Sequence, residues 1–380
     1  MPESDSAAKQ LAWHYENPMA QAIAAHRAGI PVVALTSNTI PWELIQAAGL
    51  FPVMLRPARR ATPAADEYME TDVFQARIRQ IFESAVSGEW SFLSAIILSR
   101  TSEQEYKLFL YLREVARESP REGMPPVYLY DLLHSQSAET RAYGISRTEE
   151  LKHQLEAIAG RRIDASDLAQ AIAESNAARA AVRRLLALRQ DAVRLAGTEA
   201  LPLVGAYWFM ARPEYAKLAT EAADIIRQRQ TLPGVRLIVK GAPLDHVQLH
   251  AVLESHGAIV VAEDDWWGTR SVGSDIEASG DPVKAIFEHY YRDAPSPRVF
   301  PPGAADRWFE SRVREGVDGV VFYLPPEDSV LGWDFPRQKH FLDGLHIPSL
   351  VVEEDPCAGG PGPELHASIA RFVNAIAAER

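Results

Sequence analysis

The sequence predicts an α/β protein built from two similar halves, each with a mostly parallel sheet. Three observations predict it. Short apolar runs alternate with amphipathic helical stretches along most of the chain, the pattern of strand–helix–strand units. One early unit, Pro31–Leu55, is built like a later one, Val235–Ala262: strand, polar loop with a proline, short helix, glycine, strand. The chain has 380 residues, 47% of them hydrophobic, which exceeds the ~250–300 residues at which a single core stops growing.

Residues 1–28 read as a polar, helix-prone lead-in, ahead of a first α/β domain at 29–145. Pro31–Leu35 is a continuous apolar run of strand type. Thr36-Ser37-Asn38-Thr39 then precedes Pro41-Trp42-Glu43, and a capping residue before a first-turn proline marks a helix start. Gly49 closes that helix, and Leu50–Leu55 is the next strand. Asp72–Val86 reads as a helix, and Phe92–Leu98 as a third strand ending in Ser99-Arg100-Thr101-Ser102. Glu103–Glu118 is an amphipathic helix and Pro125–Leu129 a fourth strand.

A helical connector is expected at 146–200, with capping-box starts at Ser146 and Asp164 and Gly160 between the helices. Its Ala- and Arg-rich stretch, Ala169–Leu195, reads as a long connecting helix rather than a functional element. A second α/β domain with a C-terminal helix is expected at 201–380. Its strands are Val235–Val239, Ala258–Ala262, Gly319–Tyr323 and Pro348–Val352. Its helices are Val247–Ser255, Gly280–Arg292, Trp308–Gly316, Trp333–Leu345 and Glu364–Ala378, with a proline-rich linker at Asp293–Gly303.

Composition excludes several classes. A net charge of −12 repels nucleic acid and anionic membrane surfaces, so neither is expected as a partner. Arg56, Arg59 and Arg60 read as a solvated loop face. The single cysteine, Cys357, rules out a disulfide framework and any all-cysteine zinc or iron–sulfur site, which needs about three or four thiolates. The start has no basic region followed by an apolar one, and no apolar run reaches the ~18 residues of a membrane span. A cytoplasmic protein without signal peptide is expected.

The functional reading centres on Ser255–Arg270. Ligands of open α/β sheets bind beyond the carboxyl ends of strands. Here a strand runs into Glu263-Asp264-Asp265, Trp266-Trp267, Gly268 and Arg270. The acids suit acid–base catalysis or ligation, with loop capping and pairing to Arg270 as the alternative. Asp264 and Asp265, with Glu43, are the candidate catalytic groups. Trp266 and Trp267 suit a pocket wall or an interdomain contact. Ser37, Asn38 and Thr39 lie where a strand ends and a helix begins, a place for polar or anionic ligands, with helix capping as the rival. Ser99, Arg100, Trp266, Trp267 and Arg270 complete the candidate substrate-binding set. His246 and His250 share a helix face but lack a third ligand, so they read as solvated or capping and no metal site is expected. Cys357 reads as a free thiol. Neither a P-loop, a Gly-x-Gly-x-x-Gly nor a Gly-x-Ser-x-Gly occurs, and Gly359-Gly360-Pro361-Gly362 suits a loop better than a phosphate cradle.

The ordered set of stretches resembles the 2-hydroxyacyl-CoA dehydratase and benzoyl-CoA reductase subunit family, of dehydratase D-component type, over nearly the full length. Pro41–Val53, Ala95–Tyr111, Gly160–Arg189 with Asn176, Gly241–Arg270, Asp318–Val321 and Glu364–Phe372 carry it. The resemblance implies two flavodoxin-like parallel-sheet domains facing each other across a cleft, and a homologous partner subunit. It also implies a 4Fe–4S cluster in that cleft, fed one low-potential electron by an ATP-driven activator. The implied chemistry is ketyl-radical dehydration of a 2-hydroxyacyl-CoA or reduction of an aromatic acyl-CoA.

In the family three cysteines hold the cluster. The matching places here read Ser99-Arg100-Thr101-Ser102, Trp266-Trp267 and Leu324-Pro325-Pro326-Glu327, and Cys357 falls outside them. Ser, Trp and Pro do not replace a thiolate ligand with comparable strength. The expectation is a member with a degenerate iron–sulfur site that binds no cofactor itself. It would pair with a cluster-bearing homologous subunit as a heterodimer, or with itself as a homodimer, and hold an acyl-CoA in the cleft. The alternative is a stand-alone, non-redox binding protein or acid–base enzyme using the same cleft.

Overall fold

The computed structural model describes residues 6–71, 73–119, 121–277, 280–295, 303–326, 328, 330–356 and 360–379. Cys357, Glu327, Asp72 and most of the expected linker after Asp293 lie outside them.

The apolar runs form two four-stranded parallel sheets. The first comprises β1 (Val32–Leu35), β2 (Phe51–Met54), β3 (Leu93–Ser99) and β4 (Val127–Tyr130), in the order β2-β1-β3-β4. The second comprises β5 (Val235–Gly241), β6 (Ala258–Asp264), β7 (Gly319–Tyr323) and β8 (Ser349–Val352), in the order β6-β5-β7-β8. Both orders are 2-1-3-4 within their half, the flavodoxin-like arrangement through its fourth strand. The α/β class and the two similar halves are as expected. β1 and β7 are buried at every residue because helices cover both faces, which is why these strands read as unbroken apolar runs.

Three local expectations change. β6 runs two residues further than its apolar run and takes Glu263 and Asp264 into the sheet, opposite Val239 and Lys240. These acids are strand residues held by ladder bonds, whereas the hydrophobic pattern ends the strand at Ala262. The helix expected to start at Ser146 begins earlier and spans Ala138–Ala159. Ser137 caps it reciprocally with Thr140, so the Ser146 box falls inside an already nucleated helix. The Asp164 box does open its helix, Ala165–Ala187, after Gly160 ends the previous one at φ 66°. Residues 201–226, given no elements by the apolar pattern, fold as the rest of helix Gly197–Gly205, the turn Ala206–Trp208 and helix Arg212–Ile226.

The cores show how the halves are joined. One large core holds the first sheet, the N-terminal helices, Ala165–Ala187 and Arg212–Ile226. Two smaller cores cover the faces of the second sheet. The chain leaving β6 crosses between them: Trp266, Trp267, Val272, Ile276 and the helix Pro282–Asp293 all pack into the first core. The crossing occurs at Asp265–Trp266, directly beyond a strand end.

Candidate functional site

In each sheet the chain reverses its direction of winding at the central strand pair, β1 and β3 in the first and β5 and β7 in the second. The loops beyond their carboxyl ends open a crevice there. The two crevices face each other and merge into one cleft of about 260 Å³. Its walls include Ser37 and Thr101 from the first half, and Lys240, Pro243 and Tyr323 from the second. The crossing segment closes it with Asp264, Asp265, Trp266, Trp267 and Arg270. Gly241 is required at its base. It sits at φ 138°, and a Cβ there would strike the Tyr323 backbone of the neighbouring strand.

The first crevice is lined by hydroxyls. Ser37 Oγ lies 2.8 Å from Thr101 Oγ1, Thr39 Oγ1 lies 3.1 Å from it, and Ser99 Oγ lies 2.6 Å from it. Ser99 also donates to the buried carboxyl of Glu105 at 2.8 Å. Burial pushes Glu105 above the usual carboxylate range, against the Arg77 guanidinium 3.9 Å away and its hydroxyl donors. Arg77 is anchored by the carbonyls of Thr36 and Leu55 at 2.7 and 3.2 Å.

The second crevice is charged, and its three consecutive acids have different roles. Glu263 is fully buried and accepts from Arg189 at 2.7 Å, Thr269 at 2.9 Å and His250 at 3.0 Å. Burial alone would raise its pKa, but the Arg189 guanidinium holds it well below the usual range. Asp264 sits between Lys240 and Arg270, the latter at 2.8 Å, and both cations pull its carboxyl down against burial. Lys240 and Arg270 thus share Asp264, while Asp245, Asp328, Asp334 and Asp355 also line the cleft. Asp265 has no cation among its hydrogen-bond partners. It accepts from the backbone amides of Trp267 and Gly268 at 2.8 Å and of Leu244 at 3.2 Å. Burial, reinforced by Glu263, pushes it up to about 7.

The indoles form a stacked wall of the cleft. Trp267 stacks on Trp266 with centroids 4.5 Å apart, and the Arg77 guanidinium lies 5.7 Å from the Trp266 ring centre. Trp208 meets Trp266 edge-on at 5.9 Å.

Of the residues expected at the site, Ser37, Asp264, Asp265, Trp266, Trp267 and Arg270 line the cleft. Thr39 and Ser99 stand behind Ser37 in the hydroxyl network. Asn38 faces a small side chamber that shares Arg270 and Pro295 with the cleft. Arg100 turns away, pairing with Asp131 at 3.5 Å and stacking over Tyr106. Glu43 is sealed in the interior. It pairs with Arg179 and accepts from Tyr290 at 2.8 Å, and although burial opposes it, Arg179 holds it near a pKa of about 2. His250, expected to be solvated or capping, is buried against Glu263. Arg77, Glu105 and Lys240 are not singled out in the sequence, and Thr101 appears there only within the Ser99-Arg100-Thr101-Ser102 stretch. Thr101 and Glu105 flank a strand end, and that position was the signal available for them.

Two parallel lobes with facing crevices define a ligand-cleft protein of flavodoxin-like build. The chain matches the family of 2-hydroxyglutaryl-CoA dehydratase, D-component, over residues 37–372, and it belongs to that family. It is 21% identical over 326 residues to the beta subunit of an (R)-phenyllactyl-CoA dehydratase from Clostridium sporogenes, covering 83% of this chain and 84% of the relative. It is 22% identical over 335 residues to subunit beta of a lactoyl-CoA dehydratase from Anaerotignum propionicum, with the same coverage of 83% and 84%. Among the described residues no helix is long and apolar enough to cross a membrane.

Proposed function

We propose that this chain is a cluster-free subunit of a dehydratase-type complex. It binds a cluster-bearing homologous subunit and holds a CoA thioester in the cleft between its lobes. The supporting observation is what fills the three places that the resemblance assigns to thiolates. The first is a hydroxyl network hydrogen-bonded within itself, the second a pair of stacked indoles, and the third the apolar turn Leu324-Pro325-Pro326. Iron–sulfur ligation needs thiolate donors, and these side chains do not fit it. No step is therefore assigned to a cluster on this chain.

The chain's own residues supply a binding surface. Lys240 and Arg270, bridged by Asp264, are placed to meet an anionic part of the ligand, Ser37 and Thr101 present hydroxyls, and the indoles exclude water from one wall. The names of the relatives, dehydratases of phenyllactyl-CoA and lactoyl-CoA, support a thioester as occupant.

Anaerobic reconstitution with iron and sulfide tests this. The chain alone is expected to bind no stoichiometric iron. Co-expressed with a cysteine-bearing homologue, it is expected to elute as a heterodimer that does. A full cluster on the isolated chain, or no association with the homologue, defeats the proposal. Asp265 favours a second reading, a stand-alone acid–base enzyme, because a carboxyl near neutrality on a cleft wall suits proton transfer. Turnover of a thioester by the isolated chain, lost in Asp265→Asn, would select it.

A further inference from the structure

The rim of the cleft carries an aromatic side chain that packs against nothing. After β7 the backbone makes one 3-10 turn, Leu331–Trp333, and Val330, Leu331 and Asp334 around it line the cleft. Trp333 is 85% exposed, against 53% for Trp13, the next most exposed tryptophan. The other six are buried or half-buried. Side chains three apart in such a turn eclipse one another, and the Trp333 amide donates to the Val330 carbonyl at 3.2 Å. The indole therefore stands one turn outward from Val330, at the edge of the cleft wall.

The turn beneath it is fixed. Asp328 Oδ1 accepts from the amides of Val330 at 2.9 Å and Leu331 at 2.8 Å. Leu331 packs against the core of the second sheet, and Phe335 meets Phe322 edge-on at 4.9 Å. Both flanks of Trp333 are anchored and only its ring projects. Among the described residues the ring has no aromatic or cationic partner. A rigidly mounted indole offers a flat apolar face at little cost in side-chain entropy. Charge decides which part of a ligand meets it. The cations of the cleft, Lys240 and Arg270, meet at Asp264 on the β5 and β6 side. The turn after β7 is flanked by the carboxylates of Asp328 and Asp334, which suit a neutral ring and not a phosphate.

We propose that Trp333 is the base-stacking residue of the cleft and takes the adenine ring of a CoA thioester on its exposed face. The proposal rests on the reading that a CoA thioester occupies the cleft, and it adds which end of the ligand lies at the rim. Adenine is the flat, uncharged part of that ligand, and a nucleobase stacks on an aromatic side chain through its π-face.

Calorimetric titration of the full-length chain, with its partner subunit where one is required, tests this with two ligands. One is a 2-hydroxyacyl-CoA, the other the same acyl group on pantetheine, which lacks the nucleotide. The unaltered protein is expected to bind the CoA thioester more tightly. Trp333→Ala is expected to weaken the CoA thioester about tenfold, within the worth of one base on one ring, and to leave the pantetheine thioester unchanged. Trp333→Phe, which restores an aromatic face, is expected to recover most of that loss. The ring adds nothing to a core, so both variants are expected to melt with the unaltered protein. A CoA thioester bound by Trp333→Ala at full strength, an equal loss for both ligands, or a loss that Trp333→Phe does not lessen overturns the proposal. Release of the partner subunit by Trp333→Ala would make the ring a subunit contact and overturns it too. A pantetheine thioester bound as tightly as the CoA thioester by the unaltered protein overturns the proposal alone. Failure of both thioesters to bind overturns the underlying reading and the proposal with it.

Discussion

The two crevices share a topology and differ in chemistry. In each half the second loop residue after the central strand faces the cleft, yet one lobe offers neutral hydroxyls around Ser37 and the other offers Lys240, Asp264 and Arg270. The common fold determines where a ligand can lie, and the loop residues determine which part of it each lobe can hold. The halves are alike in a second respect. Each buries a glutamate that takes a guanidinium from the same connecting segment, Arg179 for Glu43 and Arg189 for Glu263. The connector thus anchors both lobes, a role its alanine-rich sequence does not announce.

The largest expected effect tests that shared anchoring. Arg179→Met and Arg189→Met each strand a buried carboxylate, and losing one partner of a buried pair costs about 3–5 kcal/mol. Urea denaturation should show losses of that size in both variants. Glu263 keeps His250 and Thr269 as partners, whereas Glu43 keeps Tyr290, so Arg179→Met is expected to be at least as damaging. Pairing Arg189→Met with Glu263→Gln should recover much of the loss. A single variant within ~0.5 kcal/mol of the unaltered protein, the scatter of ordinary surface changes, would show that its pair is not an anchor.

The fold was legible because both sheets are parallel and covered on both faces, so their strands stand out as apolar runs such as Val32–Leu35 and Gly319–Tyr323. The place of the site was legible too, since Ser37, Ser99 and Trp266 all lie at or just beyond strand ends. The roles of the acids were not. Glu43 and Glu263 look like site carboxylates until their arginines arrive from 136 and 74 residues away, a distance that local spacing cannot report. Glu263 and Asp264 were also hidden because strand pairing carried β6 past the end of its hydrophobic pattern. Asp265 was singled out in the sequence, but what distinguishes it is burial and the lack of a cation, which only packing reveals.

Neighbouring acids in the charged crevice should respond to pH in opposite directions. Asp265 has a folded pKa of about 7, against ~3.9 when unfolded, so the native state binds its proton more tightly. Its contribution to stability is complete below ~3.9 and is lost as pH rises through about 7, on the order of 2–4 kcal/mol. Glu263 is depressed instead, so its contribution is present above ~4.3 and is lost as pH falls. Unfolding free energies of the unaltered protein and Asp265→Asn, compared between about pH 5 and about pH 8, should diverge toward high pH, with the variant gaining. A difference that stays flat across that window means Asp265 is ionised throughout and cannot serve the acid–base reading.

The smallest effect separates the two lobes by the part of the ligand each would hold. Lys240→Met converts two cations sharing Asp264 into one balanced pair and removes one positive charge from that wall. Ser37→Ala removes one neutral hydroxyl from the other. A CoA thioester should bind about tenfold more weakly to Lys240→Met, roughly 1.4 kcal/mol. It should bind Ser37→Ala only about threefold more weakly, near the low end for a neutral hydrogen bond. The two losses also differ in kind. Charge attraction is screened by salt, so the affinity of the unaltered protein should fall with ionic strength, and Lys240→Met should flatten that dependence while Ser37→Ala leaves its slope intact. Equal salt slopes in both variants would mean that Lys240 serves to neutralise Asp264 within the wall and that the anionic end of the ligand lies elsewhere.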